Sequence, residues 1–423
     1  MAQVDKKQIF LWSLFDFANS IVLISFYLYF AQWLVIELNV PDLWFNVLFV
    51  VSTLMLLFTA PVAGSIADKK GVRMPYLKIA TACSFITLLI FAFVALFSQP
   101  NLTTVLLTLG LGLLTNYFYQ LAFTFYNPML HDIAPPKLWG TISGIGQFAN
   151  WAGAIVGILV SLPFVTGVIY LFGNSGRAQT FLPSAVLFLL AVLPMLLLFK
   201  ERTKPRRVTV DLREEYRNFW RSFTDLWKKP GMASFLLGYL FLNDAVITAT
   251  GNYTLYLERV FHAPDQTKSF LYLLILIAAA VGAPILGWFA DKYGQKKTIL
   301  LIGIGWLAVL PIAALITDLR YFTFVSIAAG FLFGGVWTVT RAIMSGLSPE
   351  NRLNESFSYY GLAERFATFI GPLSWGLITY FLIDYGDLRY RVALFAMAAF
   401  VLIGVWILRR LPSDVGVRVW PKN

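Results

Sequence analysis

The chain reads as long, unbroken apolar stretches separated by short polar connections. It shows neither the strict alternation of a half-buried strand nor the narrow stripe of a helix with one face in water. A helix needs roughly 20 apolar residues to cross about 30 Å of hydrocarbon. That measure predicts spans over 9–38, 43–67, 76–98, 102–130, 139–170 and 181–199. After a polar interval it predicts six more, over 232–258, 268–290, 297–317, 321–345, 357–383 and 391–411. Continuous hydrophobicity favours helices over a transmembrane barrel, because a helix satisfies its backbone polar groups within one segment. The expected fold is an all-α integral membrane protein of twelve transmembrane helices in two pseudo-symmetric six-helix bundles. Residues 1–199 form the N-terminal bundle, 200–230 a cytoplasmic amphipathic linker, and 231–423 the C-terminal bundle.

Composition agrees. Of 423 residues, 58% are hydrophobic and 13% charged, about half the charged share of a soluble domain. The formal charge of +11 would suggest nucleic acid in a soluble protein, but its distribution assigns it to topology. Twenty-six of the 33 Lys and Arg fall on the side that holds the N-terminus, with Arg341 counted among the connections. The positive-inside rule then puts both termini in the cytoplasm. Lys6 and Lys7 precede the first apolar run, and no small-residue cleavage site ends it, so it reads as an uncleaved span. Short outer loops and the lack of tails suit a bacterial inner membrane. One cysteine, Cys83, and two histidines, His131 and His262, leave no disulfide and no basis for a zinc site. No cofactor or metal is expected, and the chain is expected to act as a monomer. In the linker, Leu212, Tyr216, Phe219, Phe223, Leu226 and Trp227 recur at helical spacing among Arg213, Arg217, Arg221 and Lys228. This predicts a helix lying on the inner membrane surface, with a solvated tether as the competing reading.

The sequence also repeats itself. PVAGSIADKKGVR at 61–73 returns as PILGWFADKYGQK at 284–296. Pro61/Pro284, Gly64/Gly287, Asp68/Asp291, Lys69/Lys292 and Gly71/Gly294 correspond, and Arg73 meets Lys296. Weaker echoes pair Asp16 with Asp244 and Gly157 with Gly371. Duplicated halves mark transporters whose substrate site lies between them near the midplane. Gly64 and Gly287 allow close helix approach, while Gly71 and Gly294 allow a sharp reversal. Asp68 and Asp291 can face a helix N-terminus from the other half, and the basic residues can anchor at headgroups. Such a turn would gate access, made in one state and broken in the other. The pattern Gly-x-x-x-Asp-(Arg/Lys)-x-Gly-(Arg/Lys) resembles the signature loop of the major facilitator superfamily, with Arg73 displaced by one position. More narrowly, Phe15-Asp16-Phe17-Ala18-Asn19-Ser20, Tyr126-Asn127-Pro128 and Phe369-Ile370-Gly371-Pro372 resemble the branch of fungal vacuolar amino-acid effluxers and their bacterial relatives. That resemblance implies transport of amino acids or similar small polar solutes. Two departures stand against drug/proton antiport: span four contains no Lys or Arg, and span five lacks a Gly-Pro motif.

Polar groups inside spans are the candidate substrate or proton pathway, since ionisable residues there cost roughly 2.5–3.5 kcal/mol on insertion scales. Asp16 lies roughly 10 Å into span one, with Asn19 and Ser20 on its face. Asp244 lies close to the midplane of span seven, with Asn243 beside it and Thr248 and Asn252 one and two turns on. Desolvation favours the neutral form of such carboxylates, which suits carriage of a coupling H+. In span eleven Glu364 and Arg365 are adjacent, and Arg365 is suited to bidentate capture of a substrate carboxylate or to an ion pair with Asp16 or Glu364. Asn116, Gln120 and Asn127 form a stripe on span four that Tyr119, Tyr126, Gln147 and Asn150 extend, read either as cavity lining or as polar glue between helices.

Apparent enzyme motifs fail on context. Gly144-Ile-Gly146-Gln-Phe-Ala149 fits a dinucleotide fingerprint by letters, but no strand precedes it. No phosphate-binding loop exists, so transport must be driven by a gradient. The expected activity is secondary active transport of a small polar solute by alternating access, coupled to H+, with the lipid bilayer as surroundings and no nucleic-acid partner. The alternatives are proton-linked export of amphiphilic or lipid-like compounds, a polytopic enzyme built on His131 and Asp132, and a nontransporting sensor.

Overall fold

The computed structural model describes residues 5–24, 29–30, 32–40, 42–201, 205–206, 208–367 and 369–413. Among them, ten helices are long and apolar enough to cross a membrane. Two predicted spans are missing from that set. Span one includes α1 (Lys6–Ile24) and a π-helical turn over Trp33–Glu37; residues 25–28 and 31 lie outside the described residues. Span eleven is two shorter helices.

The chain forms two compact units. The first comprises residues 1–133, 149–217 and 351–358. It contains α1, α2 (Asp42–Lys70), α3 (Met74–Phe97), α4 (Leu102–Tyr126), the short α5 (Leu130–Ile133), most of α6 (Trp139–Val165), α7 (Phe181–Leu198) and the start of α8 (Leu212–Trp227). Here α4 packs on α2 and α3, and α7 on α1 and α3. Helix α3 shows what its surroundings demand. Leu77, Leu88, Phe91 and Ala95 are buried, while Ile79, Ile86, Ile90, Phe93 and Phe97 on its other face are exposed. A helix apolar on both its packed and its outward faces is suited to lipid, not water.

The second unit comprises residues 134–148, 218–350 and 359–423. It contains the end of α8, then α9 (Met232–Gly251), α10 (Tyr253–Phe261), α11 (Asp265–Tyr293), α12 (Gln295–Leu315) and α13 (Leu319–Leu347). The chain continues through α14 (Leu353–Phe366), which begins in the first unit, to α15 (Ile370–Phe381) and α16 (Leu388–Leu408). Helices α11 and α13 pack most extensively, followed by α9 on α16 and α12 on α16 and α13. The internal repeat is visible in the helices. Both α2 and α11 are 29 residues long, with Pro61 and Pro284 at the same place, seven residues before Asp68 and Asp291.

The structure shortens or breaks several predicted spans. Helix α6 stops at Val165 rather than at 170, and Gly167 follows it at φ 74°. Helix α4 ends at Tyr126 and tightens to a 3-10 turn over Asn127–Met129, where Pro128 has no N–H to continue the α ladder. Span seven breaks at Asn252 between α9 and α10. Span eleven breaks between Phe366 and Ile370, and Pro372 sits in the first turn of α15, where a missing N–H costs nothing. Arg341, counted from sequence among the connections, is buried inside α13.

Glycines set the closest crossings. A Cβ at Gly153 of α6 would strike the Phe17 backbone of α1, whereas one at Gly110 of α4 would meet nothing. Gly153→Leu is therefore expected to destabilise the first unit by about 1–3 kcal/mol. In a thermal-unfolding comparison of detergent-solubilised protein it should lower the midpoint by several degrees, with Gly110→Leu near wild type.

Candidate functional site

Both repeated turns are assembled as the sequence suggested, each by a carboxylate at the start of another helix. The Asp68 Oδ1 accepts from the Asn354 backbone N–H at 3.1 Å and from Asn354 Nδ2 at 2.6 Å; its Oδ2 accepts from the Glu355 N–H at 3.0 Å. Asp291 does the same for α6, accepting from Gly140 N–H at 2.7 Å and Thr141 N–H at 2.6 Å. Four N–H groups at the start of any helix lack intrahelical partners, and their dipoles favour a negative charge. The glycine one turn earlier makes the approach possible. A Cβ at Gly64 would stand 2.8 Å from the Asn354 carbonyl oxygen, and one at Gly287 would overlap the Gly140 carbonyl. Gly71 at φ 65° and Gly294 at φ 103° then reverse the chain. These first turns of α14 and α6 are the two segments that group with the other half of the sequence: 351–358 belong to the first unit and 134–148 to the second.

The basic residues of the turns do not stand free for headgroups. Lys69 Nζ pairs with Glu215 of α8, whose other oxygen accepts from Ser65 Oγ at 2.9 Å. Lys292 Nζ lies 4.6 Å from the Trp288 ring centroid, a cation–π contact. Arg73 is buried and donates to Asp132 at 2.7 Å, whereas its counterpart Lys296 donates to the Leu411 carbonyl at 2.5 Å. Three groups in this region escaped sequence reasoning: Asp132 as the Arg73 partner, Glu215 as the Lys69 partner, and Glu201. Glu201 accepts from the N–H groups of Arg73 at 2.6 Å and Met74 at 3.2 Å, at the start of α3. Asp132 was visible as an acid at the end of span four. Because the second copy pairs differently, the repeat gave no help in finding its partner.

Inside the first unit, the polar residues divide. Asp16 is fully buried; Ser20 Oγ donates to its carbonyl at 3.1 Å and Asn19 Nδ2 to that of Phe15 at 2.8 Å. Asn116 Nδ2 donates to Ser52 of α2 at 2.6 Å, and Gln120 Nε2 reaches Asn116 Oδ1 at 3.4 Å. That part of the stripe bonds helix to helix. Asn127 is buried with its Oδ1 unpartnered among the described residues, and Asn150 on α6 is half-buried. Tyr126 stacks between Trp12 and Phe15, with centroids at 4.9 and 4.3 Å, and donates to the Trp12 carbonyl at 3.0 Å. The Phe15-Asp16 and Tyr126-Asn127-Pro128 motifs thus meet in one aromatic clamp.

The second unit gathers its polar groups at the two helix breaks. Asp244 of α9 is 0% exposed, and among the described residues neither carboxylate oxygen has a hydrogen bond of ordinary geometry. It lies against the first turn of α15, where a Cβ at Gly371 would come 2.7 Å from its Oδ1 and would overlap Thr248 Oγ1. Thr248 Oγ1 and both polar atoms of the Asn243 side chain are likewise buried and unpartnered. Asn252 turns back, its Nδ2 donating to the Thr248 carbonyl at 2.9 Å. Glu364 and Arg365 end α14 beside the same break, 3.8 Å apart and half-buried. Deeper in the unit Tyr239 and Tyr360 stack at 4.9 Å, and the Tyr360 hydroxyl lies 3.0 Å from Thr340 Oγ1. No group of three or more metal-ligating side chains occurs among the described residues.

A duplicated bundle of membrane helices, interrupted where polar residues gather and with carboxylates at helix starts, is an architecture met in transporters. Comparison with known proteins supplies the family. The sequence model of the Major Facilitator Superfamily matches residues 9–250 and again 236–422. The chain belongs to that superfamily, whose members are transporters and not enzymes. It is 22% identical over 377 residues to the uncharacterized MFS-type transporter YxiO of Bacillus subtilis, covering 87% of this chain and 84% of that one. It is 26% identical over 157 residues to autophagy-related protein 22 of Pichia angusta, covering 34% of this chain and 28% of the fungal protein. Among solved structures, a bacterial homologue of the iron transporter ferroportin in its outward-facing state superposes with a TM-score of 0.73 at 14% identity, covering 95% of this chain and 98% of that one. At that identity the likeness concerns the fold.

Asp68→Asn removes the charge and one of the two acceptor oxygens at the start of α14. It is expected to cost about 1 kcal/mol of helix capping, read as an increase of about five- to tenfold in hydrogen exchange at the amides of residues 354 and 355. Asp291→Asn should do the same at residues 140 and 141. Neither substitution should affect the other's helix.

Proposed function

We propose that this protein is a secondary active transporter of a small polar solute, amino-acid-like in size and charge, that couples transport to H+ through Asp244. The observation that carries the reading is the Asp244 environment: a fully buried carboxylate that makes no hydrogen bond of ordinary geometry among the described residues and lies against the Gly371 backbone at the start of α15. An ionised carboxylate so placed carries a large desolvation cost, which uptake of a proton removes. The start of α15 stabilises the charge when the proton leaves. Helix breaks of this kind mark the substrate region of transporters, and Glu364 and Arg365 flank the same break. In this reading Arg365 faces the acidic group of the solute. The resemblance of the Phe15–Ser20, Tyr126–Pro128 and Phe369–Pro372 motifs to the fungal vacuolar amino-acid effluxers supports an amino-acid-like cargo. The turns at Gly64–Arg73 and Gly287–Lys296 gate one end, since the carboxylate caps on α14 and α6 must break for that end to open.

Purified protein screened by thermal shift against amino acids, dipeptides, sugars, organic acids and amphiphilic cations should be stabilised by members of the first two groups. In proteoliposomes, Asp244→Asn should preserve exchange of that solute while reducing accumulation driven by a pH gradient at least about tenfold, because a fixed neutral amide cannot cycle a proton. Full gradient-driven accumulation by the variant would remove Asp244 from the coupling step. Stabilisation by amphiphilic cations alone would replace the polar solute with lipid-like cargo.

A further inference from the structure

The linker helix α8 is built as three sectors in a fixed order. At about 100° per residue, Leu212, Tyr216, Trp220 and Phe223 fall within a sector of about 80°; Arg213, Arg217 and Arg221, with Lys228 just past the helix end, occupy the next sector of similar width; Glu214 and Asp225 come after it. Leu212, Tyr216 and Trp220 are 59%, 49% and 67% exposed, and the four basic and two acidic side chains are exposed as well. On the other edge of the apolar sector lie Glu215 and Leu226, both buried. Glu215 fixes that edge to the end of α2 through Ser65 and Lys69. Phe223 packs on Tyr359 with ring centroids 5.2 Å apart. These contacts take up Phe223 at the C-terminal end of the apolar sector and leave Leu212, Tyr216 and Trp220 facing outward together with the basic sector.

We propose that this outward face is a docking surface for anionic phospholipid, with Leu212, Tyr216 and Trp220 at the acyl boundary and Arg213, Arg217, Arg221 and Lys228 on headgroup phosphates. The order apolar, basic, acidic matches the order hydrocarbon, phosphate, water met on leaving a bilayer. A protein partner would have no need of that order. Aromatic side chains favour the interface, and each basic residue near an anionic surface strengthens binding about fivefold. The acids Glu214 and Asp225 sit where they face water, away from the phosphates.

The single cysteine makes the test direct. In a Cys83→Ser background, Tyr216→Cys labelled with bimane reports the polarity around this face in the full-length, detergent-solubilised chain. Mixed micelles of phosphatidylglycerol should shift the emission to the blue at concentrations at least about tenfold below those needed with phosphatidylcholine. Adding Arg213→Gln, Arg217→Gln and Arg221→Gln should erase that preference while the thermal midpoint stays unchanged. High salt should weaken it in the background protein without any further substitution. Equal response to both lipids would overturn headgroup recognition. A shift that follows protein concentration rather than lipid would assign the face to a second copy of the chain, and the absence of any shift would show that lipid does not reach it.

Discussion

Much of this structure depends on one interaction, a carboxylate accepting the unpaired backbone N–H groups of a helix start. Asp68 does this for α14 and Asp291 for α6. In a chain with so few charged residues, helix starts near the ends of the apolar region have few partners, and an unpartnered N–H there costs as much as a lost hydrogen bond. The carboxylate supplies two acceptors and a charge suited to the dipole. Its reach depends on a glycine one turn before it, because a side chain at Gly64 or Gly287 would hold the helices apart. Gly, Asp and the reversing Gly are one device, which accounts for their reappearance as a set rather than singly.

The two copies differ in what surrounds the device. In the first, Lys69 is tied to Glu215 and Arg73 to Asp132, with Glu201 closing the start of α3. In the second, Lys292 rests on Trp288 and Lys296 on a backbone carbonyl. Ion pairs buried as deeply as Arg73–Asp132 are expensive to form and more expensive to break one partner at a time. Breaking the pair leaves an isolated buried charge, whereas moving Lys296 or Lys292 leaves only a neutral partner behind. The first turn is thus the more rigidly organised, and it is also the turn to which α8 is attached.

The fold was legible in the sequence because hydrocarbon permits so few solutions: apolar runs of the right length, the distribution of Lys and Arg, and the Gly64–Arg73 repeat point to the same architecture. The placement of Asp68 and Asp291 at helix starts was legible for the same reason, since a lone acid at such a turn has few partners. The breaks were harder to see. Span seven parts at Asn252 without a proline, and Pro372 marks the span-eleven break only in retrospect, because Pro61 and Pro284 lie within unbroken helices. Partners far apart in sequence were not legible at all. Nothing near Lys69 points to Glu215, 146 residues away, and Asn116 gives no sign that Ser52 rather than a solute takes its amide.

What separates the polar residues that hold helices together from those suited to transport is whether their bonding is complete. Asn116, Gln120 and Asn19 have partners within the bundle, and moving them would cost bonds already made. Asp244, Thr248 and Asn243 are buried beside a helix break with polar atoms unused. A low-dielectric interior makes unused polar capacity costly, so a folded chain that keeps it there does so against its own stability. In the function proposed above, arrival of a proton or a polar solute would lower that cost. The breaks at Asn252 and before Ile370 lie beside this region. In the proposed function, site and hinge would coincide for one physical reason: both need backbone and side-chain groups that the fold leaves incompletely bonded.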